Sequence, residues 1–252
     1  MIRWLFLLIV LSSLTAVGQS SGKLLGQAEA KYLLGDYEAS AKLAKKMTKR
    51  GPSNGVALML LAKSNFKLRN NEQAKSNIER VIALDSLNSN AHLLFGEIHF
   101  SVNDFESALK SFQRSFALDT SNFWKAWRIG DSFFSLKEYN LALEYASKTQ
   151  RLNEGNYVGY ELEGLVYHSL KLHDAAIESF DKAIKRNPKR EGLYNLRGYD
   201  YEQKGDFQKA MGDYDKSLSL NPENARTHYG KGYLFKVQGE TLKAINSFKE
   251  SD

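Results

Sequence analysis

An all-α solenoid of stacked helix pairs is the fold class that the sequence predicts, and three observations predict it. A 34-residue period runs without insertion from residue 21 to the end of the 252-residue chain. Proline is nearly absent, three residues in all, which leaves room for long helical runs. A hydrophobic content of 42% with 25% charged residues is that of a chain that buries a core. Cysteine is absent, which excludes a disulfide framework, thiolate metal sites, a cysteine nucleophile and a lipidated N-terminal cysteine.

The chain opens on a different pattern. Met1-Ile2-Arg3 carries one positive charge, Trp4 to Leu11 is an unbroken apolar run, and Ala16 and Gly18 are small residues before Gln19. These are the three parts of a secretory signal over residues 1–18. Its apolar stretch falls short of the ~20 residues that a spanning helix needs. Export places the mature chain in the periplasm or cell envelope; the alternative is an uncleaved leader that anchors it in the inner membrane. Without cysteine, an exported chain depends on packing alone for its stability.

The repeats start at Ser21, Gly55, Ser89, Phe123, Tyr157, Glu191 and Ala225 and fill residues 21–252. Their eighth position reads Ala28, Ala62, Gly96, Gly130, Gly164, Gly198 and Gly232, and their twentieth reads Ser40 followed by six alanines. Small residues in fixed slots mark the place where two helices cross, because a bulky side chain there would hold the backbones apart. Large residues at the eleventh and twenty-fourth slots, such as Tyr167 and Phe180, fill the space beside the crossing. Between the helices, Gly35-Asp36, Asn103-Asp104, Gly205-Asp206 and Gly239-Glu240 are turn sequences that tolerate a left-handed backbone. Asn54, Asn88, Asn122, Asn156 and Asn224 occupy the last slot, where an asparagine can cap the helix that follows; Arg190 is the exception. Pro52, Pro188 and Pro222 share slot 32, in the loop between one unit and the next.

In period, small slots and aromatic slots, the chain resembles the tetratricopeptide repeat (TPR) family over residues 21–252. The pattern lapses at Ala44 and Ala146 in slot 24, and at Lys31 and Asn65 in slot 11. The resemblance implies a right-handed superhelix of seven helix-turn-helix repeats, with a concave groove lined by first helices and a convex back of second helices.

No catalytic constellation emerges. His92, His99, His168, His173 and His228 form neither an i, i+4 pair nor the HExxH spacing of a zinc site. The glycines are spent on repeat slots and turns rather than on a phosphate loop. The reading is a non-enzymatic protein with no metal and no cofactor.

Binding is left, and the helical period says where. Slots 4, 8 and 11 make one face of a first helix, so slots 2, 5, 9 and 12 face the groove. They supply Glu97 and Phe100, then Trp124, Trp127, Asp131 and Phe134, then Glu161, Tyr199 and Glu202, and last Tyr229 and Tyr233. Repeats three to six contribute acids and no lysine or arginine in these slots, so an acidic, aromatic groove is expected within a chain of net charge +6. Such a surface suits a protein or peptide partner carrying basic and apolar residues. The carboxylate-gripping arrangement of some TPR domains is missing, since slots 5 and 9 pair Leu93 with Glu97 and Trp127 with Asp131.

The expected role is therefore an interaction scaffold or adaptor of the periplasm or cell envelope. The alternative is a glycan- or peptidoglycan-binding module with Trp124 and Trp127 as its platform. Basic clusters around Lys42–Arg50 and Lys182–Arg190 read as solvated second-helix faces, with peripheral membrane contact at most and no nucleic acid. The last repeat has no covering helix over Ala244, Ile245 and Phe248, so that side is expected to pack on a partner or a second copy, or to continue in a longer chain.

Overall fold

A computed structural model describes residues 22–251; the leader expected over residues 1–18 lies outside them. The described residues form fourteen helices and no strand, in two compact units that divide after Asp119. The first unit holds α1 (22–33), α2 (Tyr37–Arg50), α3 (Gly55–Lys67), α4 (Asn71–Leu84), α5 (Ser89–Ser101) and α6 (Phe105–Leu118). The second holds α7 (Phe123–Ser135), α8 (Tyr139–Leu152), α9 (Val158–Ser169), α10 (His173–Arg186), α11 (Glu191–Gln203), α12 (Phe207–Leu220), α13 (Ala225–Val237) and α14 (Thr241–Lys249). Within each unit, every helix packs on the one that follows it. None of these helices is long and apolar enough to cross a membrane.

Local chemistry starts each helix. Helices α3, α5, α7, α11 and α13 begin at the first slot of a repeat, and α9 one residue later. For all of these but α11 a preceding asparagine accounts for the start: the Oδ1 atoms of Asn54, Asn88 and Asn224 accept from the amides of Ala57, Ala91 and Thr227 at 3.0–3.1 Å. Asn122 and Asn156 accept from amides two residues on, at 3.0 Å each. Arg190 makes no such bond. Second helices all begin at slot 17, and Asp36, Asp104 and Asp206 in slot 16 cap three of them. The carboxyls of Asp36 and Asp104 lie below the ordinary aspartate value, Asp36 chiefly through the Lys31 ammonium with the capping amide of Ala39 adding to it, and Asp104 chiefly through the Ser107 side chain.

The turn between paired helices is more uniform than its residues. Slot 15 is left-handed in all seven repeats, at Gly35, Gly205 and Gly239 and equally at Arg69, Asn103, Lys137 and Lys171, whose φ lies between 59 and 63°. Three long basic side chains therefore sit where glycine is unstrained.

Packing inside each pair follows one rule. A Cβ built on Gly164 would stand 2.6 Å from Phe180 Cε1, one on Gly198 2.9 Å from Tyr214 Cε1, and one on Gly232 2.8 Å from Phe248 Cδ1. Gly96 meets Phe112 in the same way. Slot 8 is thus glycine where slot 24 is aromatic, the ring edge lying in the space that a methyl group would take. In the first two repeats Ala28 faces Ala44 and Ala62 faces Ile78, and all four are fully buried. The fourth repeat has Ala146 in slot 24, and Leu162 from the next first helix reaches under Gly130 instead, 2.6 Å from its Cβ position.

The last repeat differs from expectation. Ala244 is buried within its own pair, and the Phe248 ring packs beneath Gly232 and beside Tyr229, so of the three residues expected to lie uncovered only Ile245 is exposed, joined by Leu242.

Two outcomes test the crossing and the turn. Gly164→Ala overpacks the Phe180 edge and lowers stability by ~1–3 kcal/mol, read as a fall in the urea or thermal midpoint. Lys137→Gly relieves a left-handed lysine and raises stability by ~0.5–1 kcal/mol, read as a rise in the same midpoint.

Candidate functional site

The two units are best taken in turn. In the first, Glu97 on α5 lines a cavity of about 450 Å³ whose walls include Tyr32, Phe66 and Leu93, with Lys63, Lys67 and Asn90 around it. Phe100 on the same helix is half-buried and is not among the residues that line this cavity. Its ring stands edge-on to Phe105 at 5.1 Å and tilted to Phe112 at 6.4 Å. The same contact, slot 12 to slot 17 across the turn, joins Tyr32 to Tyr37 and, in the second unit, Phe134 to Tyr139. Phe100 and Phe134 are thus packed against the turn of their own helix pair.

At the start of the second unit, Trp124 and Trp127 are stacked on each other, centroids 4.5 Å apart and planes tilted by 30°. The Arg128 guanidinium lies 5.0 Å from the Trp127 ring and 5.8 Å from that of Trp124, and it bonds Asp131 at 3.2 Å. The indoles are spent partly on each other and on a cation, rather than laid side by side as one open platform. Glu161 on α9 is paired as well, with Arg190 from the loop before α11 at 3.3 Å. Burial nevertheless raises its carboxyl above the usual value, with Arg190 acting against the rise. The acidic groove expected from slots 2, 5, 9 and 12 is therefore partly neutralised by arginines that stand in slots 6 and 34.

Further along, the slots converge. Tyr199 and Glu202 on α11 and Tyr229 and Tyr233 on α13 line one cavity of about 540 Å³. Successive first helices run parallel and nearly in register here. Asn195 in slot 5 donates to Thr227 Oγ1 in slot 3 at 2.9 Å, and His168 in slot 12 meets Asp200 in slot 10 at 3.1 Å. Each slot of one first helix consequently stands beside the slot two earlier in the next, and a surface spaced by slot becomes a continuous wall. The three tyrosines are 42–62% exposed, open to a ligand.

Two residues that the slot pattern left out complete this site. Tyr214, in slot 24 and almost fully buried, extends beneath the crossing and donates its hydroxyl to Glu202 Oε2 at 2.8 Å. Gly230 makes that reach possible, since a Cβ there would stand 2.6 Å from Tyr214 Cζ. Asp200 is the other. Fully buried, it takes Nδ1 of His168 at 3.1 Å and Nδ1 of His173 at 2.7 Å, which fixes the His168 ring against Tyr199 at 5.2 Å. Slot 10 carries no periodic signal that would have announced it.

Glu202 stands apart from the other groove acids. Its neighbours are the Tyr214 hydroxyl and a long contact from Gln203, and it forms no ion pair with any described residue. Burial, with no cation to offset it, pushes its carboxyl above the ordinary glutamate value; the Tyr214 hydrogen bond moderates the rise. A further cavity of about 510 Å³ is lined by Asp181, Lys185, Arg197, Lys209 and Asp213, and there Arg197 grips Asp213 with two bonds of 2.6 and 2.7 Å and also pairs with Asp181. Among the described residues no group of three or more His, Asp or Glu side chains is placed to hold a metal ion.

Models of the tetratricopeptide repeat match residues 59–123, 159–190 and 193–224, together just over half of the chain. The chain belongs to the tetratricopeptide repeat family. Proteins with solved structures share the fold, among them two described as TPR proteins. One from Parabacteroides merdae aligns with a TM-score of 0.77 at 18% identity, over 92% of each chain. PilF of Pseudomonas aeruginosa aligns with 0.68 at 20% identity, over 77% of this chain and 88% of its own. YrrB, described as a TPR protein with an unusual peptide-binding site, aligns with 0.57 at 19% identity, over 76% and 98%. At these identities the likeness concerns the fold. A search of curated proteins found no match. As a TPR protein, the chain has the architecture of a protein–protein interaction scaffold, a class that is generally non-enzymatic.

The Glu202 environment gives a test with a sign. A carboxyl raised in the folded state contributes stability that is full below the unfolded glutamate value and lost as pH rises through the folded value. Glu202→Gln therefore raises the thermal midpoint at neutral pH, and the gain shrinks to nothing as pH falls below the ordinary glutamate range. Equal gains at both pH values would contradict a desolvated charge.

Proposed function

We propose that this TPR protein is an adaptor or assembly factor of the periplasm or cell envelope, and that its second unit holds a segment of a partner protein. The observation that carries the reading is the convergence of Tyr199, Tyr229 and Tyr233 on one cavity beside Glu202. Exposed tyrosines give large contact area at little entropic cost, and they are the residues on which binding energy concentrates. A half-buried carboxylate without a cationic partner favours a segment that brings lysine or arginine next to apolar residues. YrrB supports a peptide ligand by analogy of fold alone. Trp124 and Trp127, with Asp131 and Arg128, form a second aromatic patch on α7 where the same partner continues. The exposed Leu242 and Ile245 of α14 offer a small apolar face for a second copy.

Export rests on the leader, residues 1–18, and its test is direct: the mature protein purified from its native envelope begins at Gln19 by N-terminal sequencing. A membrane-bound chain that retains Met1 would show an anchor instead. For the site, affinity capture from the envelope identifies the partner. Tyr229→Ala combined with Tyr233→Ala then weakens its binding by about tenfold or more, since each buried tyrosine is worth ~1–2 kcal/mol at an interface centre. Affinity unchanged in that double variant would remove the second-unit site from consideration.

A further inference from the structure

The tyrosine-walled cavity is not uniformly acidic, and its polarity narrows the ligand. Arg226, in slot 2 of α13, lines the same cavity as Glu202, in slot 12 of α11. Neither forms an ion pair with any described residue. Arg226 is exposed in the first turn of α13, and Glu202 lies in the last turn of α11. Because these helices are parallel and nearly in register, the guanidinium marks one end of the cavity and the carboxylate the other, with Tyr199, Tyr229 and Tyr233 between them. The two-slot offset seen at Asn195 and Thr227 leaves Arg226 and Glu202 about eight residues apart along the axes, roughly 12 Å, and both side chains line the one cavity.

We infer that the site reads a dipolar segment: a lysine or arginine of the partner seated against Glu202, an acidic residue against Arg226, and apolar side chains on the tyrosine rings between. The inference rests on the peptide-binding reading above. A partner with basic residues alone would leave Arg226 facing like charge, which selects against it. An extended chain advances ~3.3 Å per residue and turns alternate side chains to opposite faces, so two ligand charges that meet the same wall stand four residues apart, roughly 13 Å. A carboxylate and an ammonium at that spacing meet opposite charges at both ends of the same wall. The Tyr214 hydroxyl holds Glu202 Oε2 and leaves Oε1 to the incoming cation, apart from the weak 3.4 Å contact from Gln203.

The test uses the full mature chain and synthetic, end-blocked decapeptides of apolar residues that carry Lys-x-x-x-Asp, Asp-x-x-x-Lys, either charge alone, or neither. Calorimetric titration at neutral pH should show one of the two dipolar orders binding at least about tenfold more tightly than the reverse order and than either singly charged peptide. The charge-exchanged variant, Glu202→Lys with Arg226→Glu, should then prefer the opposite order. Tyr229→Ala should weaken every peptide that binds. The milder pair Glu202→Gln and Arg226→Gln guards against misfolding, and each should abolish the preference for order with the thermal transition kept intact. Preference that survives the charge exchange without inverting overturns the dipolar reading but leaves the site. Indifference of all peptides to Tyr229→Ala overturns the site itself, and with it the inference.

Discussion

Each helix pair depends on how closely its two helices can approach, and one contact sets that distance. Where slot 24 carries a ring, slot 8 has no side chain at all, and the ring edge occupies the place of the missing Cβ, as at Gly96 under Phe112 and Gly164 under Phe180. Where slot 24 shrinks to Ala44 or Ile78, slot 8 grows to Ala28 or Ala62. Ala62 with Ile78 trades size across the crossing, and at the alanine pair Ala28 and Ala44 the next helix supplies Leu60 and Leu61 to the same cluster, as close packing requires. The fourth repeat shows the same demand met from elsewhere: Ala146 leaves a space, and Leu162 of the following pair fills it. Pairs are thereby tied to their neighbours, which is how a solenoid shares stability between repeats.

The binding face follows from that constraint. Once slots 4, 8 and 11 are committed to packing, slots 2, 5, 9 and 12 are what remains on a first helix, and in the second unit parallel neighbours align them into one wall. Tyr214 links the two roles in a single residue. Its ring lies at the crossing under Gly198, and its hydroxyl reaches past Gly230 to Glu202. The scaffold thus reaches into the site, and a carboxylate that costs folding energy is held at the cavity wall by a core residue. Residues that a site spends on binding commonly carry such a cost.

Much of the helical framework was legible because its determinants are local. The asparagine caps, the left-handed turn and the small slots are each set by residues within a few positions of one another, and they recur in phase. Arg69, Lys137 and Lys171 show where residue type failed: nothing in lysine or arginine announces a left-handed backbone, and only the shared slot does. The site was less legible. Phe100 and Phe134 belong by angle to the groove face, yet each ring finds an aromatic partner across its own turn. Arg128 and Arg190 lie outside the groove slots, yet their long side chains reach Asp131 and Glu161 and cancel charges that seemed free. Angular position on a helix describes the Cβ direction, and it says little about where the end of an arginine or phenylalanine settles.

By itself, the sequence determined the period, the phase of the crossings, the helix starts and the set of residues from which a binding face could be drawn. Those follow from backbone geometry that repeats every 3.6 and every 34 residues, and they need no knowledge of what lies across space. Only the tertiary structure decided which members of that set meet. The cavity of Tyr199, Glu202, Arg226, Tyr229 and Tyr233, with Tyr214 beneath it, draws on α11, α12 and α13. Its charge depends on which long side chains reach a partner and which do not. Pairing of that kind is a property of distances between side-chain ends, and no periodicity along the chain encodes it.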